Sequence, residues 1–382
     1  MTVTKNLAMQ SNALRRSKKL RVAFSYNVSR RHITERYLSD AYEPGYALHL
    51  DLDDFRPNIS VLKILEMAKK QSEAPEVFAH VIDMPSLPRD LNLAPIPTAC
   101  LDIDSFGWTS SRVRWSMLFD FVFVWHPSFV PLYHAAGHPK VFALPHAVDA
   151  ALFGLDDIQV RRPLDLGWVG GFGYAQHARR KRIIEGLATR FRMNDFQKQY
   201  SKEETAEVYR QCKIVINVSR DDFPRESNMR CYEGMAGGAL LITEIPTELT
   251  EWGFREGEHF VGWRNEAEIP DLVDYYLRHE KERAEISRAG QELTLSDFTF
   301  QSCRDKMTAV FQEHPNQFFA PARSWPAEDI HLMYLEHYYR HQLFDATFEE
   351  FAALRSANPR AYWKGLPMVL KTLRHAMKSS LL

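Results

Sequence analysis

Glu226, Asn228, Arg230 and Glu233 fall close together, with Arg225 beside them, between two apolar runs, Lys213–Ser219 and Ala239–Thr243. Runs rich in Val, Ile and Leu of this length suit strands buried on both faces of a parallel sheet. Ser227 or Asn228 caps a helix through Met229, Tyr232 and Met235, and Gly237-Gly238 stops it. The unit is strand, loop, helix, strand, which turns the helix N-terminus toward the carboxyl edge of the sheet. A helix N-terminus offers unpaired N–H groups and roughly half a positive charge, suited to a phosphate or a developing anion. Arg225 and Arg230 add charge there. Glu233, between one and two turns into the helix, is placed to accept both hydroxyls of a ribose; as a bland alternative it is a solvated helix residue.

A second anion-binding pattern precedes this one. Leu164-Asp-Leu-Gly-Trp-Val-Gly-Gly-Phe-Gly-Tyr174 reads as a strand running into a glycine-rich loop, followed by the basic run Arg179-Arg-Lys-Arg182 at the start of a helix. Gly170 and Gly171 let backbone N–H groups approach an anion, and Arg179 or Arg180 neutralises a diphosphate without a metal. In isolation four basic residues also suit a solvated face.

The first half alternates apolar runs, Leu20–Tyr26, Val77–Ile82, Thr98–Ile103, Phe119–Trp125 and Lys140–Leu144, with helix-length segments such as Val61–Gln71. This is the pattern of a parallel α/β domain. No glycine follows the first strand in Tyr26–Arg30, which argues against a dinucleotide-binding fingerprint. His126, where a strand leaves the sheet in Phe121-Val-Phe-Val-Trp-His126-Pro, is a candidate general base or sugar-hydroxyl ligand, and equally a packed strand-end residue. Asp102 and Asp104 form an Asp-x-Asp pair that suits either a divalent cation or, through Asp104, an acceptor-side base; a strand-end turn is the plain reading. His134 and His138 read as surface residues at a helix end.

The segment Arg230–Thr243, RCYEGMAGGALLIT, resembles the nucleotide-sugar-binding segment of GT-B glycosyltransferases, nearest to the spore-protein glycosyltransferase-like group and related to family 4 retaining enzymes. Leu144-Pro-His146-Ala-Val-Asp149-Ala-Ala-Leu-Phe153 resembles the stretch by which such enzymes cross into their linker, with His146 at the mouth of the cleft or merely at a turn. The resemblance implies two Rossmann-like domains facing a cleft, a nucleoside-diphosphate sugar as donor, and retention at the anomeric carbon. It puts Glu233 on the donor ribose. The family 4 sugar-side glutamate falls on Arg225 in this sequence, and Glu226 is the nearest carboxylate. Gly171 stands where those enzymes often carry an arginine, so the resemblance passes that role to Arg179 or Arg180.

The expected domains are an N-terminal acceptor domain over 20–150, a nucleotide-sugar domain over 160–312 and a helical extension over 315–382. Within them Phe191–Phe196 reads as a strand, Ser201–Cys212 as a capped helix, and residues 267–312 as two helices broken at Phe298-Thr-Phe300. A net charge of −1 over 382 residues supplies no global field for nucleic acid. Four scattered cysteines read as reduced core thiols, and no leader or spanning segment is recognisable, so a cytoplasmic protein is expected. Its partners would be the donor and a glycan, lipid-linked or protein acceptor, with no metal or other cofactor. The basic, apolar tail after Pro359 suits either an anionic membrane surface or packing against protein. Three other readings stay open: a metal-dependent transferase using Asp102 and Asp104, an epimerase of the same shape, and a non-catalytic nucleotide-binding module.

Overall fold

The computed structural model describes residues 20–26, 41–42, 46–71, 73–82, 84–154, 161–173 and 177–379. The basic stretch Arg15–Lys19, the turn Asn27–Arg30, the start of the linker at Asp156, Tyr174 and Gln176 lie outside the described residues, as do the side chains of Met377 and Lys378. By contacts the chain divides into two units: unit 1 comprises residues 1–125, 129–143 and 304–382, and unit 2 residues 126–128 and 144–303.

Unit 1 holds a parallel sheet of β1 (Val22–Tyr26), β2 (Ala47–Asp51), β3 (Val77–Val81), β4 (Thr98–Asp102), β5 (Phe121–Val124) and β6 (Val141–Ala143), in the order β2-β1-β3-β4-β5-β6. β3, β4 and β5 are buried at every position, as their largely apolar runs require, and the polar members His80, Thr98 and Asp102 are buried with them. Helix α1 (Val61–Gln71) spans the expected residues, and α2 (Thr109–Ser116) and α3 (Val130–Ala135) follow. β2 was not foreseen. It is a half-covered edge strand with His49 exposed, so its sequence lacks the apolar continuity of the central strands. His138 corrects the expectation of a surface residue: it is 1% exposed, and its Nε2 lies 2.9 Å from the Phe119 carbonyl.

Unit 2 is built on β7 (Leu164–Gly167), β8 (Cys212–Ile216), β9 (Leu240–Glu244) and β10 (Val261–Trp263), parallel, in the order β10-β9-β8-β7. Its helices are α4 (Ala150–Phe153), α5 (Ala178–Ala188), α6 (Lys202–Gln211), α7 (Met229–Ala236), α8 (Ile269–Arg278), α9 (Glu280–Asp297) and α10 (Phe300–Glu313), the unit boundary falling within α10. Strand residues alternate between two cores: Val215 and Leu241 pack with Tyr232 and Met235 of α7, while Ile214, Ile216, Leu240 and Ile242 pack with Ile184, Trp263 and Val273. Ser201 and Glu204 close a capping box on α6, and Asn228 caps α7 through its bond from the Arg230 N–H. Gly234 lets α7 approach β8, because a Cβ there would stand 2.9 Å from Val215. Gly238, at φ +72°, ends the helix in a left-handed turn that glycine adopts without strain. Phe191–Phe196 forms no strand beyond a single bridge from Met193 to Leu166; Asn194 instead turns inward and bonds both the N–H and the carbonyl of Trp168. Residues 267–312 make three helices rather than two, with an added break at His279 besides the expected one at Phe298. All four cysteines are buried and unbridged.

The C-terminal helices α11 (Ala327–Arg340), α12 (Phe344–Ala357) and α13 (Tyr362–Ser379) were expected to stand apart. They instead belong to unit 1, with Met333, Tyr334, Tyr338 and Ala346 inside the core that holds Phe78, Trp115 and Phe119. The fastening is polar as well. Asp120, fully buried, accepts from the N–H and hydroxyl of Thr98 through one oxygen and from the N–H groups of Phe319 and Ala320 through the other, and Arg323 bonds both.

Burial holds several histidines neutral. His80 is lowered to about 3 by desolvation in the unit 1 core, and desolvation also lowers His138, His146 and His337. Below about pH 6.5 the unfolded chain binds protons that these folded sites refuse, so stability falls as pH drops through that value. Between pH 7.5 and 5.5 His80 alone should remove about 1 kcal/mol. Urea denaturation at the two values should show the midpoint falling markedly, and equal midpoints would refute neutral burial.

Candidate functional site

The carboxyl edge of β7 and β8 is organised by Arg230, the second residue of α7. Its Nε and Nη2 donate to the Val169 carbonyl at 2.9 and 2.8 Å, its Nη1 donates to Asn217 Oδ1 at 2.9 Å, and its guanidinium lies 4.8 Å from the Trp168 ring. Asn228 donates to the same Asn217 oxygen at 3.0 Å. The glycine-rich loop, the end of β8 and the start of α7 are thus locked together. Arg230, expected beside a diphosphate, is 8% exposed and directs these donors to protein oxygens, so its visible work is to position the loop.

Gly170 is needed for this packing: a Cβ there would stand 2.4 Å from Arg230 Nη2 and 3.0 Å from Trp168. Gly171 meets nothing within 4 Å and leaves its backbone open. Gly170→Ala should therefore lower stability by about 1–3 kcal/mol by overpacking, while Gly171→Ala should change it little. Thermal melts of the two variants check this, and equal shifts would contradict it.

The basic run separates on folding. Arg179 makes a two-pronged pair with Glu244, 2.7 Å on each side, and a third bond to Asp221 at 3.1 Å; the Glu244 bonds raise its pKa further. Arg182 pairs with Glu266 and Lys181 lies 3.8 Å from Glu185. Arg180 differs. It is buried, donates to the Val218 carbonyl at 2.9 Å, and meets Glu226 only at 3.9 Å. Desolvation, then repulsion from Arg230, pulls its pKa down to about 10. A guanidinium in that position is stabilised by an added anion. Arg225 points elsewhere, to Glu251 at 2.5 Å, on a half-exposed surface.

Two carboxylates face this region from inside. Glu233 is buried, and its Oε1 lies 2.5 Å from Nζ of Lys202 at the start of α6. Glu226 is buried beside Arg180. His126, within unit 2, sets Nδ1 2.8 Å from Glu248 Oε2, while Ser128 donates to Glu248 Oε1 at 2.7 Å. His126 and Glu248 are essentially unexposed. The Phe223 ring stands edge-on to His126 at 5.0 Å, and His146 lies 5.5 Å away. Desolvation first, and then the charges of His126 and Lys202, press the His146 pKa well below its usual value, so His146 is a buried neutral ring rather than a turn cap. A buried carboxylate bonded to one imidazole nitrogen fixes the tautomer and orients the ring.

Glu248 and Lys202 were not foreseen as site residues. Glu248 was legible as a carboxylate just past the carboxyl end of a buried strand, whereas nothing local marks Lys202 as the partner of Glu233.

In unit 1, Asp104 is exposed just beyond β4. Asp102 is fully buried and bonded by Arg112 Nη1 at 2.8 Å and by the Tyr133 hydroxyl. That pairing commits Asp102 to the fold and does not suit the alternative in which it holds a cation with Asp104. Among the described residues no group of three or more His, Cys, Asp or Glu is arranged to hold a metal ion.

Residues 169–309 match the family model described as glycosyl transferase-like. No curated protein matches the sequence. Among solved structures, HepE of Anabaena in complex with UDP and glucose aligns with a TM-score of 0.58 at 11% identity, covering 77% of this chain and 100% of its own. Sucrose-phosphate synthase of Thermosynechococcus elongatus aligns at 0.52 and 12%, covering 77% and 98%, and a glycosyltransferase of Rickettsia africae at 0.53 and 11%, covering 78% and 99%. With two parallel α/β units and these alignments along most of its length, the chain has the GT-B glycosyltransferase fold.

Proposed function

We propose that this chain transfers a sugar from a nucleoside-diphosphate sugar to an acceptor hydroxyl, with retention at the anomeric carbon and without a metal. The observation that carries the reading is Arg180: a buried, under-compensated guanidinium beside the capped N-terminus of α7, with Glu233 further along the same helix. Arg180, the α7 N–H groups and the open backbone at Gly171 receive the diphosphate, and Glu233 receives the ribose. His126, oriented by Glu248, holds a sugar hydroxyl, and Glu226 stands by the sugar. Asp104 is the acceptor-side candidate of unit 1. The bond from the anomeric carbon to the diphosphate breaks with its electron pair leaving on the phosphate oxygen. The acceptor oxygen bonds to the same face of that carbon, and its proton passes to the departing oxygen. Four buried thiols suit a reducing, cytoplasmic setting. HepE is bound to UDP and to UDP-glucose in its structures, which makes uridine nucleotides the first to try.

The test is calorimetric titration with UDP, GDP, dTDP and CMP in the presence and absence of EDTA, followed by NMR of the product formed from the matching α-linked donor. The reading expects one nucleoside diphosphate to bind equally with EDTA present and an α-linked product to form. Binding that requires a divalent cation, or a β-linked product, would overturn the mechanism. Tight binding without turnover of any donor would leave a nucleotide-binding module.

A further inference from the structure

Helix α13 uses one side for the fold and leaves the other uncovered. Ala361, Gly365, Val369 and Thr372 are buried, and Gly365 lies so close to its neighbours that a Cβ would stand 2.7 Å from Leu335 and 2.9 Å from Leu354. The inner stripe is therefore occupied by α11 and α12. On the outer side Trp363 is 69% exposed, Leu370 56% and Leu373 42%, among the largest exposed apolar side chains of the described residues. At 100° per residue Leu373, Leu366, Leu370 and Trp363 share about 80° of arc, and Arg374, Lys371 and Lys364 take the next about 80°. No Asp or Glu occurs between Tyr362 and Ser379.

We propose that the outer face of α13 binds an anionic lipid surface, lying in the interface with Trp363, Leu366, Leu370 and Leu373 among the acyl chains and Lys364, Lys371 and Arg374 against the headgroups. An apolar strip bordered along its length by cations, with no acid on the helix, matches such a surface in both polarity and sign. A second copy of this face fits worse, since it carries no Asp or Glu and so offers the cations no counter-charge. No helix among the described residues is long and apolar enough to cross a membrane. The inference stands apart from the proposed sugar transfer.

The experiment is flotation of the full chain with phosphatidylcholine vesicles, with and without about one-third phosphatidylglycerol. The protein should float with the anionic vesicles and stay behind with the neutral ones. Lys364→Glu with Lys371→Glu should weaken that binding by about tenfold or more, and Trp363→Ser with Leu370→Ser should abolish it. All four side chains are exposed, so both double variants should keep the wild-type melting temperature. Failure to float with anionic vesicles, or flotation indifferent to both variants, would overturn the proposal. So would a concentration-dependent dimer that Trp363→Ser with Leu370→Ser dissolves, because the face would then belong to a second copy.

Discussion

Replacing Asp120 by alanine is expected to lower the unfolding free energy by about 3–5 kcal/mol, the range for removing one partner of a buried charged network. The side chain is unexposed and serves the Thr98 N–H and hydroxyl at the start of β4, the Phe319 and Ala320 N–H groups, and Arg323. Its loss would leave the three N–H groups and the Thr98 hydroxyl without these acceptors, where water has little access. Arg323 would keep the Asn92 and Ala94 carbonyls as acceptors but lose its counter-charge. Asp120→Asn preserves the shape yet offers a single acceptor oxygen, so it should fall between wild type and alanine. Urea denaturation with an unchanged slope and a reduced midpoint is the expected result; a shift below about 1 kcal/mol would mean that Asp120 does not fasten residues 319–323 to the sheet.

That fastening also explains what the sequence could and could not reveal. Strands β3, β4, β5, β8 and β9 were legible because a strand covered on both faces has to be written as a mainly apolar run. β2 was hidden because an edge strand ending in Asp51 carries no such run. The C-terminal helices were legible one by one from their periodicity, but which core receives them is decided by Asp120, Met333 and Tyr338, whose partners lie far away in the sequence. The site divides in the same way. Asn228 and the Gly237-Gly238 stop are local backbone devices and could be read from residue type and spacing, whereas Gly170 is required by the packing of Arg230, far along the chain. The basic run could not be sorted in advance, because Arg179 and Arg180 are adjacent and differ only in what the fold sets beside them: two hydrogen-bonded carboxylates for Arg179; a backbone carbonyl, a second arginine and the Glu226 carboxylate at 3.9 Å for Arg180. His126 was legible as a strand-end histidine, while its partner Glu248 lies 122 positions further on.

Glu233→Gln is expected to weaken binding of the preferred nucleotide by about tenfold to a hundredfold, the equivalent of one hydrogen bond to a charged group. One carboxylate oxygen of Glu233 already meets Lys202, so the proposed ribose contact falls to the other. The amide keeps volume and shape but removes the charge, and it turns one of the two acceptor groups into a donor that faces either Lys202 or the ribose. Lys202→Met provides the partner measurement. If Lys202 acts by holding the carboxylate in place, its loss should weaken binding less than Glu233→Gln, and the double variant should be no weaker than Glu233→Gln alone. Additive losses would instead mean that Lys202 touches the nucleotide itself. Calorimetry on folded variants separates these cases, and wild-type affinity in Glu233→Gln would remove the ribose from Glu233 while leaving the diphosphate seat at Arg180 to be tested by Arg180→Met.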